Sequence, residues 1–322
     1  MYLKKIFYIT CIIILATCSS SKKTSKRNFS GEIVYKTIIK PKTEALNVDS
    51  LMQSLQGDET RYIINDSLYK SSYYSDGEFT YSFTYDSKTK RMYDYRTGMQ
   101  YVTYRDSRAP NETELDIKIN RDSVISILGY KAYQTINNTY DYSTTTYYSD
   151  AIRIKYSAFE DHNVGHWYER LQLTNGAISL KSITYKETHL EILEAVEVKH
   201  RELKPEEFEL PEGLPVIASY SVLDEQVELI SPTPNQIRCY QSKIAAAPDI
   251  YENEDREFTS YVAFLVTKQG KAKFAYAAEV DDYGLSKIAV DIIETCNLNF
   301  RPGKKNGVII ESESFLPVYF QI

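Results

Sequence analysis

The sequence predicts an α+β protein, in which a mainly antiparallel β domain is followed by a small α+β domain. Tyrosine, which favours strands, is unusually common, with 29 Tyr against one Trp. Short extended runs between residues 61 and 104 are separated by turn residues about every ten positions, as in a β-meander. Residues 261–322 predict a hairpin, a helix and a long closing strand.

Composition and charge exclude some classes of function. The 322 residues are enough for two ordinary domains, and 43% hydrophobic with 25% charged residues is typical of a globular protein. The formal net charge of −6 argues against a nucleic-acid partner, because proteins that bind nucleic acids present a basic face. We therefore expect a folded protein that binds no nucleic acid.

The N-terminus has the pattern of an export signal. Lys4 and Lys5 precede an apolar run over residues 6–16, which is too short to span a bilayer comfortably. The run ends in LATC at residues 15–18, which resembles the lipobox of bacterial lipoprotein signal peptides. The resemblance implies cleavage before Cys18 and acylation of that cysteine, for example with palmitate. An ordinary secretory signal and an uncleaved anchor are the alternatives.

Residues 1–18 are thus predicted to be a signal peptide, and residues 19–30 a flexible polar tether. Several acyl chains would hold the protein stably on a membrane, because each buried CH₂ contributes roughly 0.8 kcal/mol. No Asp follows Cys18, so the usual retention signal for the inner membrane is absent. We expect a lipoprotein of the outer membrane that faces the periplasm.

Residues 31–219 form the predicted β domain. Its motifs are a strand that opens at Gly31, the stretch ILGYKA at residues 127–132, a strand near Trp167, and FELPEG at residues 208–213. The order of these motifs resembles the GLPGLI-type family and related lipoprotein-carrier-like proteins. The resemblance implies a curved antiparallel sheet, or half-barrel, whose concave apolar face could hold a lipid or a polypeptide.

The most tempting group of chemically active residues is the pair His162 and His166, which carboxylates flank. On a helix, this spacing could bring two imidazoles to one metal ion. Asn163 and Gly165 instead predict a turn, so we expect a solvated loop, no bound metal and no cofactor. The sequence also contains no Gly-x-Ser-x-Gly elbow and no phosphate-binding Gly-rich loop, and we expect a protein without catalytic residues.

Residues 220–235 predict a linker, and two cysteines follow it. Cys239 and Cys296 remain in the mature chain if Cys18 carries lipid and Cys11 leaves with the signal peptide. The periplasm is oxidising, so a disulfide between them is one hypothesis. Two buried thiols are the alternative.

Residues 236–322 contain the most specific pattern in the chain. A hairpin turns at Gly270, and apolar residues recur at helical spacing from Leu285 onward. The order of motifs resembles the C-terminal domain of TonB. The matching residues are Leu285, Ala289, Phe300, Pro302, Asn306, Gly307 and the segment LPVYF at residues 316–320. The resemblance implies that a sheet edge accepts another polypeptide by β-augmentation.

Our leading hypothesis is a non-enzymatic scaffold that is anchored through lipid and binds an envelope protein or peptide. The predicted docking edge consists of Val308, Ile310, Phe315, Val318 and Phe320. A TonB-type adapter for outer-membrane transport, a lipid carrier that uses the β domain, and an envelope hydrolase around the two histidines are the alternatives. The oligomeric state is left open.

Overall fold

A computed structural model of the chain describes residues 28–42, 48, 57–111, 114–138, 142–247, 257–278 and 284–321. Within these residues, the first part of the chain is a succession of strands. They are β1 (Gly31–Pro41), β2 (Glu59–Ile64), β3 (Leu68–Ser75), β4 (Glu78–Asp86), β5 (Arg91–Arg96), β6 (Val102–Asp106), β7 (Ile117–Ile127), β8 (Tyr130–Asn138), β9 (Ser143–Arg153), β10 (Ala177–Tyr185) and β11 (His189–His200).

The second part mixes short strands with helices. Its strands are β12 (Val216–Ala218), β13 (Glu228–Leu229), β14 (Glu257–Val266), β15 (Ala272–Ala277), β16 (Phe300–Arg301), β17 (Lys304–Lys305), β18 (Val308–Ile309) and β19 (Ser312–Gln321). The α-helices of the described chain are α1 (Trp167–Leu173), α2 (Pro234–Ile244) and α3 (Leu285–Thr295). None of these helices is long and apolar enough to cross a membrane.

Fifteen of the described strands form a single mixed sheet. Its order is β15-β14-β19-β12-β6-β5-β4-β3-β2-β1-β11-β10-β9-β8-β7. Strand β12 lies parallel to both of its neighbours, β19 and β6. The predicted α+β arrangement of two domains is therefore wrong as a fold class, because the C-terminal strands continue the N-terminal sheet through β12. The proposed boundaries near residues 219 and 236 stay predictions.

Glycine turns join the hairpins where the sequence predicts them. Asp76 and Gly77 have φ of 51° and 83° between β3 and β4, and Asn306 and Gly307 have φ of 50° and 74° between β17 and β18. Two successive residues with positive φ match the twist of antiparallel strands, and Asp-Gly and Asn-Gly tolerate that conformation. The local turn chemistry therefore sets the register of these hairpins.

The N-terminal core lies where the segment between β9 and β10, which includes α1, packs against one face of the sheet. Tyr69 is central to it, with stacked or tilted rings of Tyr85, Phe159 and Trp167 around it at centroid distances of 5.1–6.2 Å. Other buried members are Ile33, Tyr35, Ile64, Ile152, Ile154, Leu171, Ile178 and Leu180. The chain thus fills much of the predicted apolar face with its own aromatic side chains.

A second core forms where α3 packs on β14 and β15, and buried residues of β19 belong to the same core. The helix buries Leu285, Ala289 and Ile292 at helical spacing. The strands contribute alternate residues, as a period of two requires. These strand residues are Val262, Phe264, Val318 and Phe320. Full burial of such aliphatic or aromatic side chains contributes about 1.5–3 kcal/mol each, so this core holds β19 and α3 in place.

Helix α2 is attached to the second core. Pro234 occupies its first position, and the Thr233 hydroxyl accepts a hydrogen bond from the Gln236 backbone N–H while the Gln236 side chain accepts one from Thr233. This capping box satisfies two backbone groups at the start of the helix. Cys239 of α2 and Cys296 after α3 form a disulfide, with their Cα atoms 5.5 Å apart. The bond joins the two helices covalently.

Candidate functional site

Strand β19 has a free edge within the part of the chain that the structure describes. It pairs with β14 along its whole length, but on its other side it pairs with β12 only at Ser312. A short 3₁₀ helix, Tyr220–Val222, follows β12, and the Tyr220 ring packs edge-on against Phe315 at 5.3 Å. Beyond this point, no described strand covers residues 316–321 on that side.

The register shows which backbone groups face this edge. Tyr261 of β14 lies opposite Pro317, and the Tyr261 carbonyl accepts a hydrogen bond from Ala278 on the side away from β19. Opposed residues of an antiparallel pair either both bond across the pair or both point outward. The Pro317 carbonyl and, two residues later, the N–H and carbonyl of Tyr319 therefore point outward. Among the described residues these groups have no hydrogen-bond partner.

Exposed aromatic side chains lie beside the free edge. The exposed fractions are 50% for Tyr220, 53% for Tyr261, 39% for Phe315 and 61% for Tyr319. We call these four residues the aromatic patch. Phe315 and Tyr319 belong to β19, and Tyr261 lies diagonally between them on β14. Large amphipathic rings of this kind are common in protein interfaces.

The five residues predicted to form the docking edge do not lie on one surface. Phe315 lies in the aromatic patch, whereas Val318 and Phe320 are buried in the second core. Val308 is exposed in the separate β17–β18 hairpin, and the Ile310 N–H donates to the Gly303 carbonyl. Both faces of β19 carry large side chains, so alternation alone does not tell which face is buried.

One signal in the sequence points to the free edge. Pro317 has no N–H, and a proline inside a strand is confined to an edge where its nitrogen faces away from the partner. This places the odd-numbered residues 315, 317 and 319 toward the edge. The signal identifies Tyr319, which the sequence analysis missed.

A buried carboxyl lies at the start of the same strand. Glu313 is 6% exposed, and the Tyr276 hydroxyl donates a hydrogen bond to its Oε1 at 3.0 Å. Burial raises the pKa of Glu313 to about 7, the Tyr276 hydrogen bond opposes this shift, and the negative charge of Asp94 adds to it. Glu313 therefore exchanges its proton near neutral pH.

Glu313 shares a small cavity with an ion pair from the N-terminal strands. The cavity has a volume of about 200 Å³. Arg105 donates to Asp94 at 2.9 Å, and the Tyr81 hydroxyl donates to the same carboxylate. The cavity lies at the junction of β4, β5 and β6 with β15 and β19. A change of charge at Glu313 thus acts where the two parts of the sheet meet.

The two histidines of the sequence analysis have separate environments. His162 is fully buried, its Nε2 lies 2.5 Å from the Tyr69 hydroxyl, and its ring stacks on Tyr85 at 4.0 Å. Burial lowers its pKa to about 3, with a further contribution from nearby positive charges. His166 instead pairs with Glu169 at 3.0 Å. The predicted solvated loop is wrong for His162, because aromatic packing draws its imidazole into the core.

No metal centre accompanies these histidines in the part of the chain that the structure describes. Within it, no group of three or more His, Cys, Asp or Glu side chains is placed to hold a metal ion. The proposed lipid site Cys18 lies outside the described residues, as does the rest of the predicted signal peptide. Acylation there stays a prediction.

A cavity of about 310 Å³ lies between α1 and the strands β8, β9 and β10. Two rows of polar residues cross these strands on the cavity side. The first row is Thr135, Thr146 and Ser182, and the second is Asn137, Thr144 and Thr184. The Thr144 and Thr184 hydroxyls lie 3.2 Å apart. The lining thus combines rows of hydroxyl groups with apolar side chains such as Leu171 and Ile178.

Helix α1 covers this cavity. Trp167, Arg170, Leu171 and Thr174 follow the spacing of one helical face and line the cavity from above. Trp167 Nε1 and Arg170 Nε are buried and have no hydrogen-bond partner among the described residues. The sequence pattern does not reveal this site, because the turn residues Asn163 and Gly165 come just before a helix of only seven residues that begins at Trp167.

Comparisons with known proteins give only distant likenesses. No family model and no curated protein sequence matches the chain. Among solved structures it is similar to PNGF-II, with 12% identity, a TM-score of 0.38 and coverage of 76% of this chain, and it spans 44% of PNGF-II. The lipoprotein LppX of Mycobacterium tuberculosis has 7% identity and a TM-score of 0.25, with 54% of this chain and 89% of LppX covered.

A chain of the Pseudomonas aeruginosa MucA/MucB complex has 9% identity and a TM-score of 0.25, with 85% of this chain and 94% of that chain covered. These likenesses assign neither a family nor a function. The resemblances to the TonB C-terminal domain and to the GLPGLI-type family stay predictions.

Proposed function

We propose that the protein is a non-enzymatic binding protein of the bacterial envelope, which docks an extended segment of a partner polypeptide along the free edge of β19. The observation that carries the proposal is the outward-facing backbone of Pro317 and Tyr319, which has no partner among the described residues. Such an edge accepts another strand by β-augmentation, in which backbone hydrogen bonds supply affinity.

The aromatic patch supplies the side-chain contacts for this partner. Side chains of an added strand on this face would lie beside Phe315 and Tyr319, and a long side chain would reach Tyr261 across β19; all three rings are already exposed. The other face of β19 is buried in the second core, which also contains α3, so the edge is held in place before binding. A preformed edge reduces the entropy that is lost on association.

Pro317 sets the register of the docked strand. It offers a carbonyl but no N–H, so the ladder on this edge contains a fixed interruption. Prolines at an edge also oppose uncontrolled pairing of sheet to sheet. The edge thus favours a short strand that forms backbone hydrogen bonds with Tyr319 and needs no N–H donor from Pro317.

Crosslinking from the aromatic patch tests the docking proposal. A photoreactive amino acid at position 261 in cells that express the protein is expected to capture a protein partner. The same amino acid at Tyr185, a tyrosine that is also exposed but lies on β10, is the matched control. Equal capture from both positions would contradict the proposal.

A second substitution separates backbone pairing from side-chain contact. Tyr319→Pro removes an N–H that faces the free edge without touching the bonds to β14, whereas Tyr319→Ala removes only the side chain. Loss of one donor leaves a partner carbonyl unpaired, at a cost of about 1–3 kcal/mol. Capture from position 261 should therefore fall further in Tyr319→Pro than in Tyr319→Ala. Unchanged capture in Tyr319→Pro would exclude strand pairing at this edge.

The envelope location rests on Cys18. We propose acylation of this cysteine and attachment to the outer membrane on its periplasmic side. Metabolic labelling with a radioactive fatty acid is expected to mark the wild-type protein and to leave Cys18→Ala unlabelled. Label that survives this substitution would refute acylation at Cys18.

A further inference from the structure

The cavity beneath α1 has an unusual balance of charge. Among the described residues that line it, Arg170 carries the single formal charge, and no carboxylate is present. Arg170 makes no ion pair with a described residue, and its buried Nε has no hydrogen-bond partner. Near the cavity, the Lys186 ammonium lies 3.6 Å from the ring centroid of the lining residue Tyr142. Both charges favour a negatively charged ligand.

The opposite wall of the cavity presents hydroxyl groups. Thr135, Thr146 and Ser182 lie side by side across three strands. The Thr135 hydroxyl donates to the Thr146 carbonyl at 3.3 Å and can still accept a hydrogen bond, whereas the Thr146 and Ser182 hydroxyls can both donate and accept. A rigid sheet holds these groups at fixed spacing. The arrangement matches a ligand that itself carries several hydroxyl groups.

The remaining surface and the volume narrow the class of ligand. Trp167 gives the cavity an aromatic wall and a buried N–H donor that has no partner among the described residues. The volume of about 310 Å³ lies at the lower end of the range for small-molecule sites, which begins near 300 Å³. A ligand about the size of one sugar ring fits this volume.

We propose that this cavity binds a hydroxylated organic anion of the acidic-sugar class. Its carboxylate or phosphate contacts Arg170, and its hydroxyl groups contact the rows on β8, β9 and β10. Guanidinium–oxyanion pairs are charge-assisted and directional, which makes Arg170 the residue that selects for the anion. This site is separate from the free edge of β19, so either proposal can fail without the other.

Tryptophan fluorescence reports on this site alone, because the chain contains one Trp and that residue lines the cavity. The purified protein is titrated with glucuronate and with glucose 6-phosphate, and calorimetry runs in parallel. We expect saturable binding of at least one probe. Glucose lacks the anion, and acetate lacks the hydroxyl groups. The affinity for each of them should be lower by a factor of about ten or more. The two anionic probes distinguish a carboxylate site from a phosphate site.

Two variants assign the binding to this cavity. Arg170→Gln is expected to weaken binding about tenfold or more, and Arg301→Gln, which alters an exposed arginine of β16, should leave it unchanged. If circular dichroism shows that Arg170→Gln is unfolded, Thr146→Val on the sheet side takes its place. Absence of saturable binding of both probes overturns the proposal, and so does wild-type affinity in the folded variant.

Discussion

Replacement of Glu313 by Gln should remove a pH dependence of stability from the junction of the sheet. Burial raises the pKa of this carboxyl from 4.5 to about 7. Between these values the folded protein binds more protons than the unfolded chain. The free energy of unfolding therefore falls as pH rises from 4.5 to 7 and is lowest above the folded pKa.

The size of this effect follows from the shift. One pKa unit corresponds to about 1.4 kcal/mol, so a rise from 4.5 to about 7 costs about 3 kcal/mol when Glu313 is ionised. Gln carries no charge at any pH and can still accept the hydrogen bond of Tyr276. Glu313→Gln should therefore gain about 3 kcal/mol relative to the wild type on going from pH 4.5 to pH 8.

Urea denaturation followed by circular dichroism measures this difference. His162 has a depressed pKa, which makes the folded state less stable at acid pH, but it is present in both proteins and cancels in the comparison. Glu311→Gln is the matched control, because Glu311 is exposed two residues away. If the difference between Glu313→Gln and wild type is constant from pH 4.5 to pH 8, the assigned burial of the charge is incorrect.

Three further predictions concern other parts of the chain. The double variant Cys239→Ser, Cys296→Ser removes a disulfide between cysteines that are 57 residues apart in the chain. This loss should lower the free energy of unfolding by about 4 kcal/mol. An unchanged midpoint of urea denaturation would argue against this stabilisation. In an NMR titration, one of the four histidines should stay neutral down to about pH 3, and its signal should be missing in His162→Gln. Ordinary titration of all four histidines would contradict the burial of His162. Gly270→Ala places a Cβ 2.0 Å from a backbone oxygen, whereas Gly98 has the same left-handed conformation but faces open space. Gly270→Ala should therefore lower the melting temperature more than Gly98→Ala. Equal decreases in melting temperature would refute the clash.

Local chemistry determined much of the secondary structure. The turn at Asp76-Gly77, the helix that begins at Leu285 and the hairpin around Gly270 follow from residue type and spacing, and the structure has each of them. These features depend on neighbours only a few positions apart in the chain. Sequence patterns predict them for that reason.

The same patterns do not predict which strands pair when the strands are far apart in the sequence. Strand β12 spans only Val216–Ala218, yet it connects β6 with β19 and turns two expected domains into one sheet. A three-residue strand has too few positions to show a period. Its place depends on hydrogen bonds to residues about a hundred positions away in either direction.

Local propensity and period are sufficient to predict the strand-rich character of the chain, the turns and the apolar face of α3. The packing of distant segments is needed to know which side of β19 lacks a described neighbour, that His162 lies in an aromatic core, and that α1 covers a cavity lined by rows of hydroxyl groups. Both faces of β19 carry large side chains, so burial in the second core selects the inner face. The free edge of β19 and the cavity beneath α1 both form where segments that are distant in the sequence pack together.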